Sequence, residues 1–142
     1  MNYNNYILKK AGVLFMEITL NILQKVIKKR EPNSHKGNFG RVLLIGGNIN
    51  YGGAIIMAAS AAVHTGAGLV TVATNKENLS SLHSVVPEAM FINFFDKVSL
   101  TTAISTADVV VVGPGLGTDN RAKEVLEVTL SNISDNQLCI ID

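Results

Sequence analysis

The residues of this chain whose types and spacing suit chemistry are glycines. Gly113, Gly115 and Gly117 fall in the run Asp-Val-Val-Val-Val-Gly-Pro-Gly-Leu-Gly from Asp108 to Gly117. Four valines with no polar alternation predict a strand buried on both faces. Glycine has no Cβ, so a ligand can lie directly against the backbone of the turn that follows. Thr118, Asp119 and Asn120 supply N-cap types for a helix predicted over Arg121 to Leu130. Strand, glycine turn and helix N-terminus in that order make an anion or nucleotide cradle. From these residues alone, the alternative is a tight strand-to-helix connection with no ligand.

The familiar phosphate-binding patterns do not fit. After Ile45 the glycines are Gly46, Gly47, Gly52 and Gly53, which is not the Gly-x-Gly-x-x-Gly spacing. The next strand ends in Thr74-Asn75-Lys76 and offers no carboxylate to a ribose. A standard NAD-dependent dehydrogenase is therefore not expected. No Gly-Lys-Ser or Gly-Lys-Thr occurs, so a Walker A loop is absent. One cysteine and the scattered His35, His64 and His83 give no zinc set, and no metal ligands are expected. His64 lies inside a predicted alanine-rich helix and is expected to be structural.

The elements that would position these glycines alternate regularly. An amphipathic helix is predicted over Glu17 to Arg30, with Ile18, Ile22, Leu23, Val26 and Ile27 on one face. Lys25, Lys28, Lys29 and Arg30 crowd its end as a solvated basic cluster, and Pro32 is expected to stop it. Ser34 to Arg41 reads as a polar loop and Arg41 to Ile45 as a strand. A helix rich in alanine opens at Tyr51-Gly52-Gly53-Ala54 and runs to about Thr65, small enough along one side to pack closely on a sheet or a second subunit. Further strands are predicted at Leu69 to Ala73, Ala89 to Phe94 and Leu138 to Ile141, with helices over Lys76 to Val86 and Ser99 to Ser105. Alternation with short connections predicts an α/β fold: a mostly parallel sheet with helices on both faces.

Composition sets outer bounds. With 47% hydrophobic and 16% charged residues in 142, the chain is expected to build one globular core. A net charge of +1 gives no reason to propose nucleic acid or an anionic membrane as partner. No segment is long enough to span a bilayer, and Glu17 stops the apolar run after Lys9 and Lys10 too early for a signal peptide. The lone Cys139 is expected as core filler in a reducing cytoplasm. Residues 1–16 are expected to be a disordered leader and 17–142 a single α/β domain. The chain ends on an apolar strand closed by an acidic residue, where open α/β sheets hold ligands, so it is expected to be the front half of something longer.

Ser34-His35-Lys36-Gly37-Asn38-Phe39-Gly40-Arg41, leading into Val-Leu-Leu-Ile-Gly-Gly, resembles the opening motif of the ADP- or ATP-dependent NAD(P)H-hydrate dehydratases. Four further blocks resemble that family in the same order: Tyr51-Gly52-Gly53-Ala54, Gly66-Ala67-Gly68-Leu69-Val70, Val86-Pro87-Glu88-Ala89-Met90 and Gly113-Pro114-Gly115-Leu116-Gly117. The resemblance implies a ribokinase-like fold and a homo-oligomeric lyase. It implies repair of hydrated NADH and NADPH (NADHX and NADPHX) with ADP or ATP and Mg2+. Carried over by position, Gly53, Ala54, Gly113, Gly115 and Gly117 would line the pocket for the hydrated cofactor, with Lys36 and Asn48 as contacts nearby. Glu88 would orient a loop or stand as an exposed carboxylate, and Asp142 matches the start of an acidic strand-end motif. The family's late Gly-x-Gly-Asp motif, which carries its catalytic aspartate, has no counterpart, so that residue is expected beyond Asp142 and the chain alone is expected to be inactive. A ribokinase-like small-molecule kinase fragment and a non-catalytic nucleotide-binding module are the competing readings.

Overall fold

The computed structural model describes residues 20–27 and 29–142. The leader expected over residues 1–16, the start of the helix expected at Glu17 and Lys28 lie outside the described residues. The chain divides into two compact units, Met1–Ser34 and His35–Asp142.

In the first unit, helix α1 spans Leu20–Val26. It ends before its sequence pattern does, and Ile27, expected on the apolar face, sits exposed in a bend beyond it. Pro32 does not act as the helix stop. It lies in a separate turn, closed by the Ser34 N–H and hydroxyl donating to the Glu31 carbonyl at 3.0 and 2.6 Å. Lys25 is in the last helical turn, whereas Lys29 and Arg30 follow it.

The second unit runs β1 (Arg41–Ile45), α2 (Gly52–His64), β2 (Leu69–Thr74), α3 (Leu79–Val85), β3 (Met90–Asn93), α4 (Lys97–Thr106), β4 (Val109–Val112), α5 (Asn120–Asn132) and β5 (Leu138–Ile141). The strands form one sheet in the order β3-β2-β1-β4-β5, with every pairing parallel. Leu43 stands beside Val110 and Ile45 beside Val112, so the two central strands are in register up to their carboxyl ends.

Strand side chains alternate between faces, and this chain uses both. Leu43, Ile45, Ala73, Val110 and Val112 face one core, closed by Leu100 and Ile104 of α4 and by Ala122 and Val125 of α5. Leu44, Val70 and Val72 face the other, closed by Ile55 and Ala59 of α2 and by Leu82 of α3. The valine strand is therefore covered on both sides, though unequally: Val110 and Val112 are wholly buried and Val109 and Val111 half so. The alanines of α2 do what close packing requires. Ala59 is buried, and Ala58 and Ala62 pack against the same core.

Two predicted elements change at their ends. The helix expected from Lys76 begins as a 3₁₀ turn, Lys76–Asn78, because the Asn75 side chain accepts the Glu77 N–H and Asn78 is drawn inward. Ala89 and Phe94, expected inside β3, instead flank it as buried anchors. Asp96 caps α4 through the Ser99 N–H, and Asp119 caps α5 through the Ala122 N–H at 2.8 Å.

Strand β5 departs most from expectation. All four of its residues are exposed, with Leu138 at 69%, Ile140 at 55% and Ile141 at 60%. Cys139 is therefore not core filler. It is exposed on a strand that, among the described residues, pairs on one side only, with β4.

Candidate functional site

Chain connectivity fixes where a ligand can lie. From β1 the chain moves to β2 on one side, and from β4 it moves to β5 on the other. The carboxyl ends of β1 and β4 are thus a topological switch point, where loops diverge and open a crevice. Gly46-Gly47-Asn48 leaves β1 there and Gly113 to Gly117 leaves β4 there.

The two loops hold each other. Gly47 N–H donates to the Pro114 carbonyl at 2.8 Å and Asn48 N–H to the Gly115 carbonyl at 2.7 Å. Gly113 N–H donates to the Ile45 carbonyl at 3.0 Å, so ladder pairing continues past the strand ends. Asn48 then turns the chain into α2: its Oδ1 accepts the N–H groups of Asn50 and Tyr51, both at 2.9 Å.

Gly115 has φ of +64°, and a Cβ there would fall on the Tyr51 carbonyl oxygen and lie 3.1 Å from the Ala54 Cβ. A side chain at this position meets its own chain before any ligand, so the tight-turn requirement accounts for this glycine by itself. Gly53 is the opposite case. A Cβ added there meets nothing within 4 Å. It sits in the first turn of α2, whose N-cap, Tyr51, makes no side-chain capping bond. The first-turn N–H groups of a helix lack intrahelical acceptors and carry the positive end of its dipole.

A buried polar cluster supports this arrangement from behind. The Gly47 carbonyl accepts from Thr74 Oγ1 at 2.8 Å and from Asn78 Nδ2 at 2.7 Å, and Asn78 Nδ2 also reaches Thr74 Oγ1 at 2.9 Å. Thr74 and Asn78 are both buried. Neither figured in the sequence reading, where Thr74-Asn75-Lys76 served only to exclude a ribose carboxylate. The available signal was a polar residue closing an apolar strand, with a second one four positions on.

Gly53, Ala54, Gly113, Gly115, Gly117 and Asn48 therefore converge at one end of the sheet. Asp142 joins them at the end of β5, its N–H donating to the Val112 carbonyl at 3.0 Å and its main chain lying against Gly113. Lys36 does not join them. It belongs to the 3₁₀ turn Lys36–Phe39 that precedes β1, where the Phe39 carbonyl accepts the Gly68 N–H at the opposite end of the sheet. The length of β1 separates it from the glycine loops, roughly 17 Å at about 3.3 Å per residue. Glu88 is exposed, and the exposed His64 has its Nδ1 2.7 Å from the Ser60 carbonyl on its own helix.

Among the described residues no three His, Cys, Asp or Glu side chains converge. Other concavities are lined by none of the loop glycines. One of about 280 Å³ between α4 and α5 is lined by Phe94, Phe95, Lys97 and Arg121. Another of about 590 Å³ runs along the amino ends of β1, β2 and β3 beside α4. At the first, Lys97 bonds Glu124 at 2.6 Å and, with help from Arg121, holds that carboxyl below its ordinary range. Asp96 is likewise held low, by the Ser99 hydroxyl first and the Ser99 N–H second.

Residues 42–142 match the family model of the NAD(P)H-hydrate dehydratases. The chain belongs to that family. It is similar to an ADP-dependent (S)-NAD(P)H-hydrate dehydratase of Lactiplantibacillus plantarum, 51% identical over 125 residues that cover 88% of this chain and 45% of that protein. It is also similar to a solved ribokinase-like superfamily protein from Enterococcus faecalis, with a TM-score of 0.83 and 44% identity over 89% of this chain and 46% of that one. The fold alone is shared with the ADP/ATP-dependent NAD(P)H-hydrate dehydratase of Bacillus subtilis co-crystallized with ATP/Mg2+, at a TM-score of 0.71 and 24% identity over 87% of this chain and 44% of that one. The ribokinase-like expectation thus holds. The chain spans about half the length of the curated relatives it matches.

Proposed function

We propose that this chain carries the hydrated-cofactor side of a nucleotide-dependent NAD(P)H-hydrate dehydratase. One observation supports this most: the open first turn of α2 at Gly53 beside the interlocked glycine loops at the switch point. Gly53, Ala54, Gly113, Gly115, Gly117 and Asn48 would border the pocket, with the α2 N-terminus facing a phosphate of NADHX or NADPHX. Lys36 has no part in that pocket within one chain.

The chemistry explains why a second site is needed. Hydroxide is a poor leaving group, whereas a phosphorylated hydroxyl departs readily. Transfer from ADP or ATP needs positive charge around the moving phosphoryl group. The residues gathered here supply backbone N–H groups and no cation. They suit holding the hydrated cofactor and leave phosphoryl transfer, with its nucleotide and Mg2+, to groups outside this cluster. The named relatives favour this reading over a small-molecule kinase on the same scaffold. A cytoplasmic setting and a homo-oligomeric state belong to the proposal as well.

Gly53→Leu tests it. The added side chain enters open space, so the variant should melt like the parent. Its affinity for NADHX in calorimetric titration should fall about 10-fold or more, which is about 1.4 kcal/mol. Unchanged affinity in a normally folded variant would remove α2 from the site.

A further inference from the structure

Asn78 stands where an asparagine ordinarily caps a helix, and its side chain does something else. It precedes α3 as the N-cap residue, yet it makes no side-chain bond to the first turn of that helix. The amide is turned inward to the loop after β1, and the residue is only 8% exposed. Its Nδ2 donates to the Gly47 carbonyl at 2.7 Å and to Thr74 Oγ1 at 2.9 Å, with the Asn48 carbonyl at 3.4 Å. These partners fix which end of the amide is which. A carbonyl can only accept, and the Thr74 hydroxyl already donates its proton to Gly47, so both require the amide nitrogen.

The other end, Oδ1, has no donor among the described residues. It lies against Gly52, the first residue of α2, where an added Cβ would overlap Oδ1 and come 2.7 Å from Cγ. Gly52 does not have a left-handed backbone, so the approach of Asn78 is what excludes a side chain there. Among the described residues no fully buried side-chain nitrogen or oxygen lacks a partner. An oxygen without one therefore still meets the outside of the fold, and this one does so beside the half-buried Gly52 and the exposed Gly53.

Two kinds of group thus meet at one place. The first turn of α2 offers N–H donors to an anion. Beside them Oδ1 offers an acceptor, held in direction by the Gly47 and Thr74 bonds. A bare phosphate suits the first and is repelled by the second. A sugar phosphate suits both, because its hydroxyls are donors only a few bonds from the phosphorus. We propose that Asn78 is a ligand-binding residue whose Oδ1 accepts a hydrogen bond from a ribose hydroxyl, next to the phosphate that rests on the α2 N-terminus. This inference rests on the hydrated-cofactor reading, in which NADHX supplies the ribose phosphate.

The test is titration of the full 142-residue chain with NADHX, read by calorimetry and by the carbon NMR signal of the Asn78 side-chain carbonyl. A hydrogen bond formed at Oδ1 should move that signal as the site fills, while the signal of Asn132, at the far end of α5, stays in place. Ribose 5-phosphate in excess should move it the same way. Asn78→Ala should weaken NADHX binding about 10-fold. Thr74→Val removes a bond to the same Gly47 carbonyl and leaves Oδ1 in place, so it should cost far less affinity, about 2-fold. A purely structural Asn78 predicts equal losses in the two variants. The signal is read on the parent chain, so the result stands even where Asn78→Ala fails to fold. An Asn78 signal unmoved at saturation with NADHX, or equal losses in the two variants, overturns this inference and leaves the hydrated-cofactor reading standing. A shift with NADHX that ribose 5-phosphate does not reproduce overturns the assignment to a ribose hydroxyl. A parent chain that binds no NADHX removes the hydrated-cofactor reading and this inference with it.

Discussion

Gly115 and Gly53 show two different reasons for a glycine within one small region. At Gly115 the backbone has φ of +64° and the Cβ position is taken by the Tyr51 carbonyl. Gly115→Ala should cost roughly 2 kcal/mol or more, since a left-handed residue with a Cβ costs about 1–2 kcal/mol before any clash is counted. Urea unfolding measures this, and a variant as stable as the parent would contradict the tight-turn account. Weak ligand binding by a Gly115 variant would say little about contact with ligand, because the turn itself is disturbed. At Gly53 the space is open, so a larger residue there reports on the ligand and not on the fold. The glycine spacing was readable in the sequence. Which way each missing side chain would have pointed was not, because that depends on a loop from another strand.

Thr74 and Asn78 act at the scale of elements, joining the end of β2 and the start of α3 to the loop after β1. Asn78→Ala should cost roughly 1 kcal/mol, near the low end for a buried donor, because the Gly47 carbonyl keeps its bonds from Thr74 Oγ1 and Asn75 N–H. Asn78→Asp should be worse at neutral pH. Its carboxylate would replace a donor that faces the Gly47 and Asn48 carbonyls. Burial among acceptors raises a carboxyl pKa in the folded state, so this variant should regain stability as pH falls, whereas the alanine variant should not. Denaturant midpoints at pH 7 and pH 5 separate the two. The sign is reversed at Asp96, which caps α4 and is held below its ordinary range by Ser99. Its contribution is present above the unfolded carboxyl's pKa and is lost as pH falls through the lower folded value. Ser99→Ala should move the Asp96 titration, followed by carboxyl NMR, back up toward the ordinary range; an unmoved titration would rule the hydroxyl out as the cause. Strands and helices were legible because their apolar periods are local: Arg41–Ile45 and Leu138–Ile141 match their predicted bounds. The inward turn of Asn78 was hidden, since a polar residue in a predicted helix reads as a solvated face until the carbonyl it serves is in view. Lys36 was misplaced for a related reason. A motif contiguous in sequence straddles β1, and a strand carries its two ends to opposite sides of the sheet.

At the scale of the whole chain, the exposed β5 bears on association and the make-up of the glycine cluster on chemistry. The uncovered Leu138, Ile140 and Ile141 should make the 142-residue chain associate as concentration rises, and Ile140→Lys should reduce this; light scattering on a dilution series of both proteins reads it directly. The composition of the glycine cluster bounds what its residues can catalyse. Dehydration of NADHX needs a site for the phosphoryl donor facing the hydroxyl that leaves, with cationic groups around the transferring oxygens. The converging residues at the switch point are glycines, Ala54 and Asn48, with Asp142 at the rim, and none is a cation. They are held by main-chain bonds to one another, so no rearrangement of exposed side chains within the cluster would create the missing charge. Purified alone, the chain should therefore bind NADHX and fail to convert it to NADH when ADP or ATP and Mg2+ are supplied. The absorbance of regenerated NADH follows conversion, and the same preparation can be titrated with NADHX to establish that the site is folded. Binding without turnover is the expected pair of results. Turnover above background from the chain alone would mean that its own residues perform phosphoryl transfer, and would move the candidate site away from the glycine crevice.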